Sequence, residues 1–140
     1  MTPSVEARLN AVAPAVLSLF RIVLGLLFTV HGAAKLFAWP VDMGSGPIPA
    51  GTWPAWWAGL IEVVAGLLIM TGLFTRIAAF IASGTMAVAY FWQHQPDGLH
   101  PLQNGGESAV LFCFGFFLLV FTGGGAWALD ALLRRRRSTV

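Results

Sequence analysis

The stretch Arg21-Ile-Val-Leu-Gly-Leu-Leu-Phe-Thr-Val-His-Gly-Ala-Ala-Lys-Leu-Phe37 lies inside an apolar run from about Pro14 to Trp39 that has no proline after Pro14. About 20 residues at 1.5 Å rise cross the hydrocarbon of a bilayer, so this run is long enough to span one. It nevertheless carries an arginine, a histidine and a lysine. Ionisable groups at that depth are costly and mark functional or paired positions. At about 100° per residue, Arg21, Gly25, Phe28, His31, Gly32 and Lys35 share an arc of roughly 120°. That face is polar or small, whereas Leu24, Leu26, Leu27 and Val30 lie elsewhere and can meet lipid. The helix reads as one wall of an internal site.

The rest of the composition points the same way. Of the 140 residues, 57% are hydrophobic and 10% charged, with a mean hydropathy of +0.76. Soluble domains carry about 25% charged residues, so a single integral membrane domain is expected. The lone Cys113 excludes an intrachain disulfide and dithiol chemistry within the chain. A cleaved signal peptide is not expected, because the first apolar run exceeds an h-region of about 7–15 residues.

Punctuation by proline and glycine divides the chain. Residues 1–13 form a polar tail, and helices are predicted over about 14–38, 55–73, 76–93 and 107–133, with a basic tail over 134–140. The turn Thr71-Gly-Leu-Phe-Thr-Arg76 is so short that the second and third helices must run antiparallel. The expected fold is all-α: an integral membrane four-helix bundle of antiparallel up-down topology. Arg8, Arg76 and Arg134 to Arg137 fall on one side of that arrangement. The positive-inside rule then makes both termini cytoplasmic. Trp39, Trp53, Trp56, Trp57 and Trp92 gather at the outer boundary, where amphipathic rings prefer to lie.

His31 and Glu62 each lie about seven residues, or roughly 10 Å, below the outer ends of their helices. Gly59, Glu62 and Gly66 share a face, as do Gly25 and Gly32, and small residues let membrane helices approach closely. Glu62 is therefore expected near His31 or Lys35. Ser83, Ala87, Tyr90 and His94 form a stripe on the third helix, and the second loop adds His100, Asn104 and Glu107. Plainer roles stand beside these. His31 and Glu62 can be a structural pair, Lys35 can snorkel to headgroups, and Asn104-Gly-Gly-Glu107 has capping-box spacing. Arg21 and Asp130, near the inner ends of their helices, are expected to form a structural ion pair.

Other chemistries are absent from the pattern. There is no HExxH, CxxC or Walker-type phosphate loop. No metal site is expected. The basic tail is explained by topology and anionic lipid, so nucleic acid is not an expected partner.

Taken together, Arg21-x3-Gly25-x2-Phe28-x2-His31-Gly32-x2-Lys35-Leu36, Glu62-x3-Gly66-x5-Gly72-Leu73-x-Thr75-Arg76, Asn104-Gly-Gly-Glu107 and Trp127-Ala-Leu-Asp130 resemble the DoxX family of small four-span bacterial membrane proteins. The resemblance covers residues 15–133. It implies a place among proteins usually labelled oxidoreductases, which include the membrane subunit of thiosulfate:quinone oxidoreductase. His31, Lys35, Glu62 and Glu107 are the matched polar positions.

The leading expectation is a membrane subunit or component of quinone-linked redox chemistry, with a polar pocket in the outer half of the bundle. His31, Lys35 and Glu62 would be catalytic, as donor, charge stabiliser and proton relay. Phe28, Tyr90, Trp92, His94, Asn104 and Glu107 would line the quinone pocket. Membrane lipid, a redox protein partner or a second copy of the chain are the expected partners. Two alternatives are a non-catalytic anchor for a redox partner and a small-molecule transporter, the latter resting on Glu62 and the Gly123-Gly-Gly125 break.

Overall fold

The computed structural model describes residues 2–137, and among these every regular element is helical. Helix α1 spans Pro3–Phe37, α2 Ala55–Thr71 and α3 Thr75–Ala89. After α3 the chain passes through a π-helical turn, Tyr90–His94, and a 3-10 turn, Gln95–Asp97. A single turn, α4 (Pro101–Asn104), precedes α5 (Glu107–Thr122) and α6 (Leu129–Arg137). Helix α1 packs along α2, α2 along α3, α3 along α5, and α5 touches α1 again.

Helix α1 starts eleven residues earlier than the polar tail suggested, at Pro3 instead of Pro14. Proline suits a first helical turn, whose N–H groups lack partners anyway, and Glu6-Ala-Arg-Leu9 is a run of good helix formers. Pro14 is tolerated within the helix, and its carbonyl takes a hydrogen bond from Ser18 Oγ at 3.0 Å and another from the Ala126 N–H at 3.1 Å. By length and composition α1 can cross a bilayer, with mean hydropathy 2.2 in its most apolar window, whereas α2 and α5 are apolar but shorter.

Helix α2 stops at Gly72, whose left-handed φ of 76° no side chain favours. The N–H groups of Gly72 and Leu73 both turn back to the Leu68 carbonyl. The predicted last helix is two helices. Gly123 and Gly125 have φ of 77° and 78°, so α5 ends at Thr122 and the chain crosses over α1 before α6 begins. The basic tail is helical through Arg137, and residues 138–140 of the predicted tail lie outside the described residues.

The core is built from Phe28, Ile69, Met86, Phe116 and Leu119 with the alanines of α3 between them. Large apolar side chains also point outward from each long helix: Leu26 and Leu27 on α1, Val64 and Leu67 on α2, Phe80 and Val88 on α3, Phe114 and Phe121 on α5. An apolar exterior of this extent suits a hydrocarbon surround.

Candidate functional site

Two pairs of glycines set the distance between α1 and α2. A Cβ on Gly32 would stand 2.6 Å from the Gly59 carbonyl, and one on Gly25 would stand 2.6 Å from the Met70 nitrogen. On the facing helix, a Cβ on Gly66 would meet Thr29 Oγ1 at 2.4 Å. The backbones therefore touch, as small residues allow in membrane helices.

That closeness brings Lys35 to Glu62. Lys35 Nζ donates to Glu62 Oε1 at 2.5 Å, with 27% of the lysine side chain exposed and 2% of the glutamate's. Burying a carboxylate is costly, and a paired cation offsets the cost only where the remaining lone pairs are met too. Here they are not all met: Glu62 Oε2 is buried without a hydrogen-bond partner among the described residues. His31, one turn before Lys35, is exposed, and its ring stands edge-on to Phe112 at 5.7 Å. Lys35 and Glu62 thus form one pair, a partly exposed ammonium on a buried carboxylate, with the exposed imidazole of His31 one turn away along α1.

The predicted pocket residues make contacts of their own, and Phe28 and His31 share the ring of Phe112. Phe28 is a core residue, 1% exposed, packed at 4.6 Å against Phe116 and 5.6 Å against Phe112. Tyr90, His94 and Asn104 form a separate cluster. Tyr90 donates its hydroxyl to the Leu99 carbonyl at 3.0 Å, and His94 Nδ1 lies 3.2 Å from the Asn104 carbonyl. Asn104 Nδ2 donates to the Gly98 carbonyl at 2.8 Å while its Oδ1 accepts from the Gly106 N–H at 2.8 Å. The asparagine organises this loop. Glu107 opens α5 but is exposed, and the N-cap is Gly106 with no side-chain cap, so the capping box is not formed. Trp92 is exposed as well.

At the opposite end of the helices, Arg21 and Asp130 spend their hydrogen bonds on main-chain groups. Arg21, 1% exposed, donates Nε to the Gly124 carbonyl at 2.8 Å and Nη1 to the carbonyls of Ile69 at 2.6 Å and Met70 at 2.5 Å. It satisfies the last turn of α2, where carbonyls lack helical partners and the helix dipole favours a cation. Asp130 instead accepts the N–H groups of Phe74 and Thr75, each at 2.9 Å, and so caps α3. Burial pushes the Asp130 carboxyl up, but the Thr75 and Phe74 donors outweigh it and hold the group below its ordinary value. Arg76 serves the end of α5 in the same way, donating to Val120 at 2.6 Å and Phe121 at 2.8 Å.

Ser18 escaped the sequence reading. It is fully buried, accepts the Trp127 N–H at 3.0 Å and donates to Pro14. Its place three residues before Arg21, on the same helical face, is the signal that marks it.

Among the described residues, no three His, Cys, Asp or Glu side chains converge as a metal would require. An open cavity of about 360 Å³ lies at the Arg21 end, between the α2–α3 turn, Gly123–Gly124 and α6, away from Lys35 and Glu62.

Comparison with known proteins sets this geometry in a family. The model described as DoxX matches residues 16–95, and the model described as TQO small subunit DoxD matches residues 56–140. An uncharacterized protein of Haemophilus influenzae is 43% identical, covering 84% of this chain and 90% of its own length. An uncharacterized membrane protein of Mycobacterium tuberculosis is 30% identical, with 96% and 91% covered. The inner membrane protein YphA of Escherichia coli is 31% identical, with 86% and 92% covered. No solved structure matches the chain.

Proposed function

The chain belongs to the DoxX family, and from that premise we propose that it is a multi-pass component of quinone-linked redox chemistry in the bacterial inner membrane. It is a membrane protein, in keeping with relatives that carry that description and with the apolar side chains that cover its long helices. In the proposed arrangement α1, α2, α3 and α5 form an antiparallel four-span bundle with both termini in the cytoplasm. Reporter fusions test it: Arg76 should report as cytoplasmic, and Gly46 and Gly98 as outside.

One observation carries the redox reading. Glu62 keeps a buried oxygen that meets no partner among the described residues, beside Lys35, with the exposed His31 one turn along α1. A quinone supplies two-electron chemistry that requires a proton at each carbonyl oxygen. Three of this chain's groups suit such a ligand. His31 is exposed and can donate a hydrogen bond toward the lipid side. Lys35, bonded to Glu62 through one proton, retains two more for an oxygen that gains negative charge. Glu62 can take or return a proton through Lys35 without contact with water. The donors fit a quinone headgroup. Phe28 is packed in the core and Tyr90 is tied to the Leu99 loop, so neither is offered as a ring contact.

Extraction of quinone from protein purified in mild detergent tests this. Near-stoichiometric quinone, lost in folded His31→Ala and Glu62→Gln variants, is expected. Purified protein that neither carries nor rebinds quinone would remove the basis for the reading.

A second reading, a non-catalytic anchor for a redox partner, is favoured by the cavity's position away from Glu62. Under it, the same substitutions weaken association with the partner and leave quinone content unchanged. The glycine break offered for transport is filled by Ser18 and Arg21.

A further inference from the structure

The cavity at the Arg21 end has walls of two kinds. Arg76 and Arg134 bring two guanidinium groups, both exposed. Each is fixed by one edge: Arg76 Nη1 to the carbonyls that end α5, and Arg134 Nε to the Asp130 carbonyl at 3.3 Å. The planar fork of each arginine keeps further N–H groups for a ligand. Thr75, at the start of α3, lines the same cavity. The carboxylate in the wall, Asp130, already gives its two oxygens to the N–H groups of Phe74 and Thr75. Two guanidinium groups against one capped carboxylate leave the cavity positive.

The rest of the wall is apolar. Ile77 and Leu133 line the cavity and are 64% and 49% exposed, on the side where α3 presents Phe80 outward. A ligand that fits must be anionic at one end and hydrocarbon at the other. It must also reach the end of the helices, where a bilayer's headgroups lie.

We propose that this cavity binds an anionic phospholipid, with its phosphodiester between Arg76 and Arg134 and its acyl chains over Ile77 and Leu133. Arginine forks match phosphate oxygens in geometry as well as charge. A free phosphate ester would satisfy the guanidinium groups but leave the apolar wall unused. The site depends on the membrane location alone and is independent of the quinone reading at the other end.

Native mass spectrometry of the full chain in detergent, titrated with phosphatidylglycerol or phosphatidylcholine, tests the site, with inorganic phosphate as a third probe in thermal melts. One phosphatidylglycerol should be retained under conditions that strip phosphatidylcholine. Arg134→Gln should weaken that binding about tenfold, the order of one lost charge-assisted contact. Arg76→Gln also removes bonds at the end of α5, so Arg134→Gln carries the test. Arg135→Gln, a matched substitution on the same helix outside this cavity, should leave the binding unchanged. Equal losses from Arg134→Gln and Arg135→Gln would mean diffuse attraction to a basic helix and overturn the site. Equal retention of phosphatidylcholine, or protection by inorganic phosphate as strong as by phosphatidylglycerol, would overturn it too.

Discussion

Gly32 of α1 lies against Gly59 of α2 so closely that a Cβ at Gly32 would meet the Gly59 carbonyl oxygen at 2.6 Å and the Val63 nitrogen at 2.7 Å. Glu62 and Lys35 meet because these two backbones touch. The neighbours of Gly32 are main-chain atoms on a rigid helix, so they have little freedom to move aside.

Gly32→Ala should therefore destabilise the fold by about 1–3 kcal/mol, the range for an overpacked contact. Gly84 provides the control, since a Cβ there meets nothing within 4 Å. Gly84→Ala should be neutral, or stabilising by up to about 1 kcal/mol through its better helix propensity. Thermal unfolding of both variants in the same detergent checks the contrast.

Lys35→Ala leaves the Glu62 carboxylate buried and unpaired. Removing one partner of a fully buried pair costs on the order of 3–5 kcal/mol. Lys35 is 27% exposed, which brings the expectation to about 2 kcal/mol once solvent screening is allowed for. Glu62→Gln should recover part of that loss in the double variant, because the orphan charge is gone. Simple additivity of the two substitutions in melting experiments would show that the groups are uncoupled.

Arg21 is buried against three carbonyls. Arg21→Gln should cost about 2–4 kcal/mol, because those carbonyls lose charge-assisted donors in a dry setting. Arg21→Lys should rescue little, since one ammonium lacks the planar fork that reaches Gly124 and the end of α2 together. Chemical unfolding of the two variants side by side provides the measurement.

Asp130 gives a pH dependence with a definite sign. Its folded value lies below the ordinary one, so the folded chain binds that proton more weakly than the unfolded chain. The stabilisation is complete above the ordinary carboxylate range and is lost as pH falls through the lowered folded value. Asp130→Asn should lower stability by about 1 kcal/mol at neutral pH, as for other lost helix caps. The gap in Tm between variant and wild type should close on acidification.

The apolar runs and the Gly-Leu-Phe turn made the long helices and the α2–α3 hairpin legible, because helix length and turn chemistry are local. The Lys35–Glu62 contact was legible because two glycine-bearing faces of equal depth can meet in few ways. The role of Arg21 was not. A side chain that ends its neighbour helix by bonding main-chain carbonyls leaves no partner residue in the sequence to find. Asp130 misled for the same reason, since its partners are the N–H groups of Phe74 and Thr75. Phe28, Tyr90 and Trp92 were expected to line the quinone pocket. Depth along a helix says nothing about azimuth after a π-helical turn, and Tyr90 opens that turn.

The bond from Arg21 to Gly124 joins residues 103 positions apart, and the bond from Arg21 to Ile69 joins residues 48 apart. During synthesis α1 leaves the ribosome long before either acceptor exists. Its arginine must wait at the water boundary, or beside the insertion machinery, until α2 arrives, and it is fully enclosed only after the glycine segment emerges. A chain cut short before Gly124 would leave Arg21 with two of its three carbonyl partners, those of Ile69 and Met70.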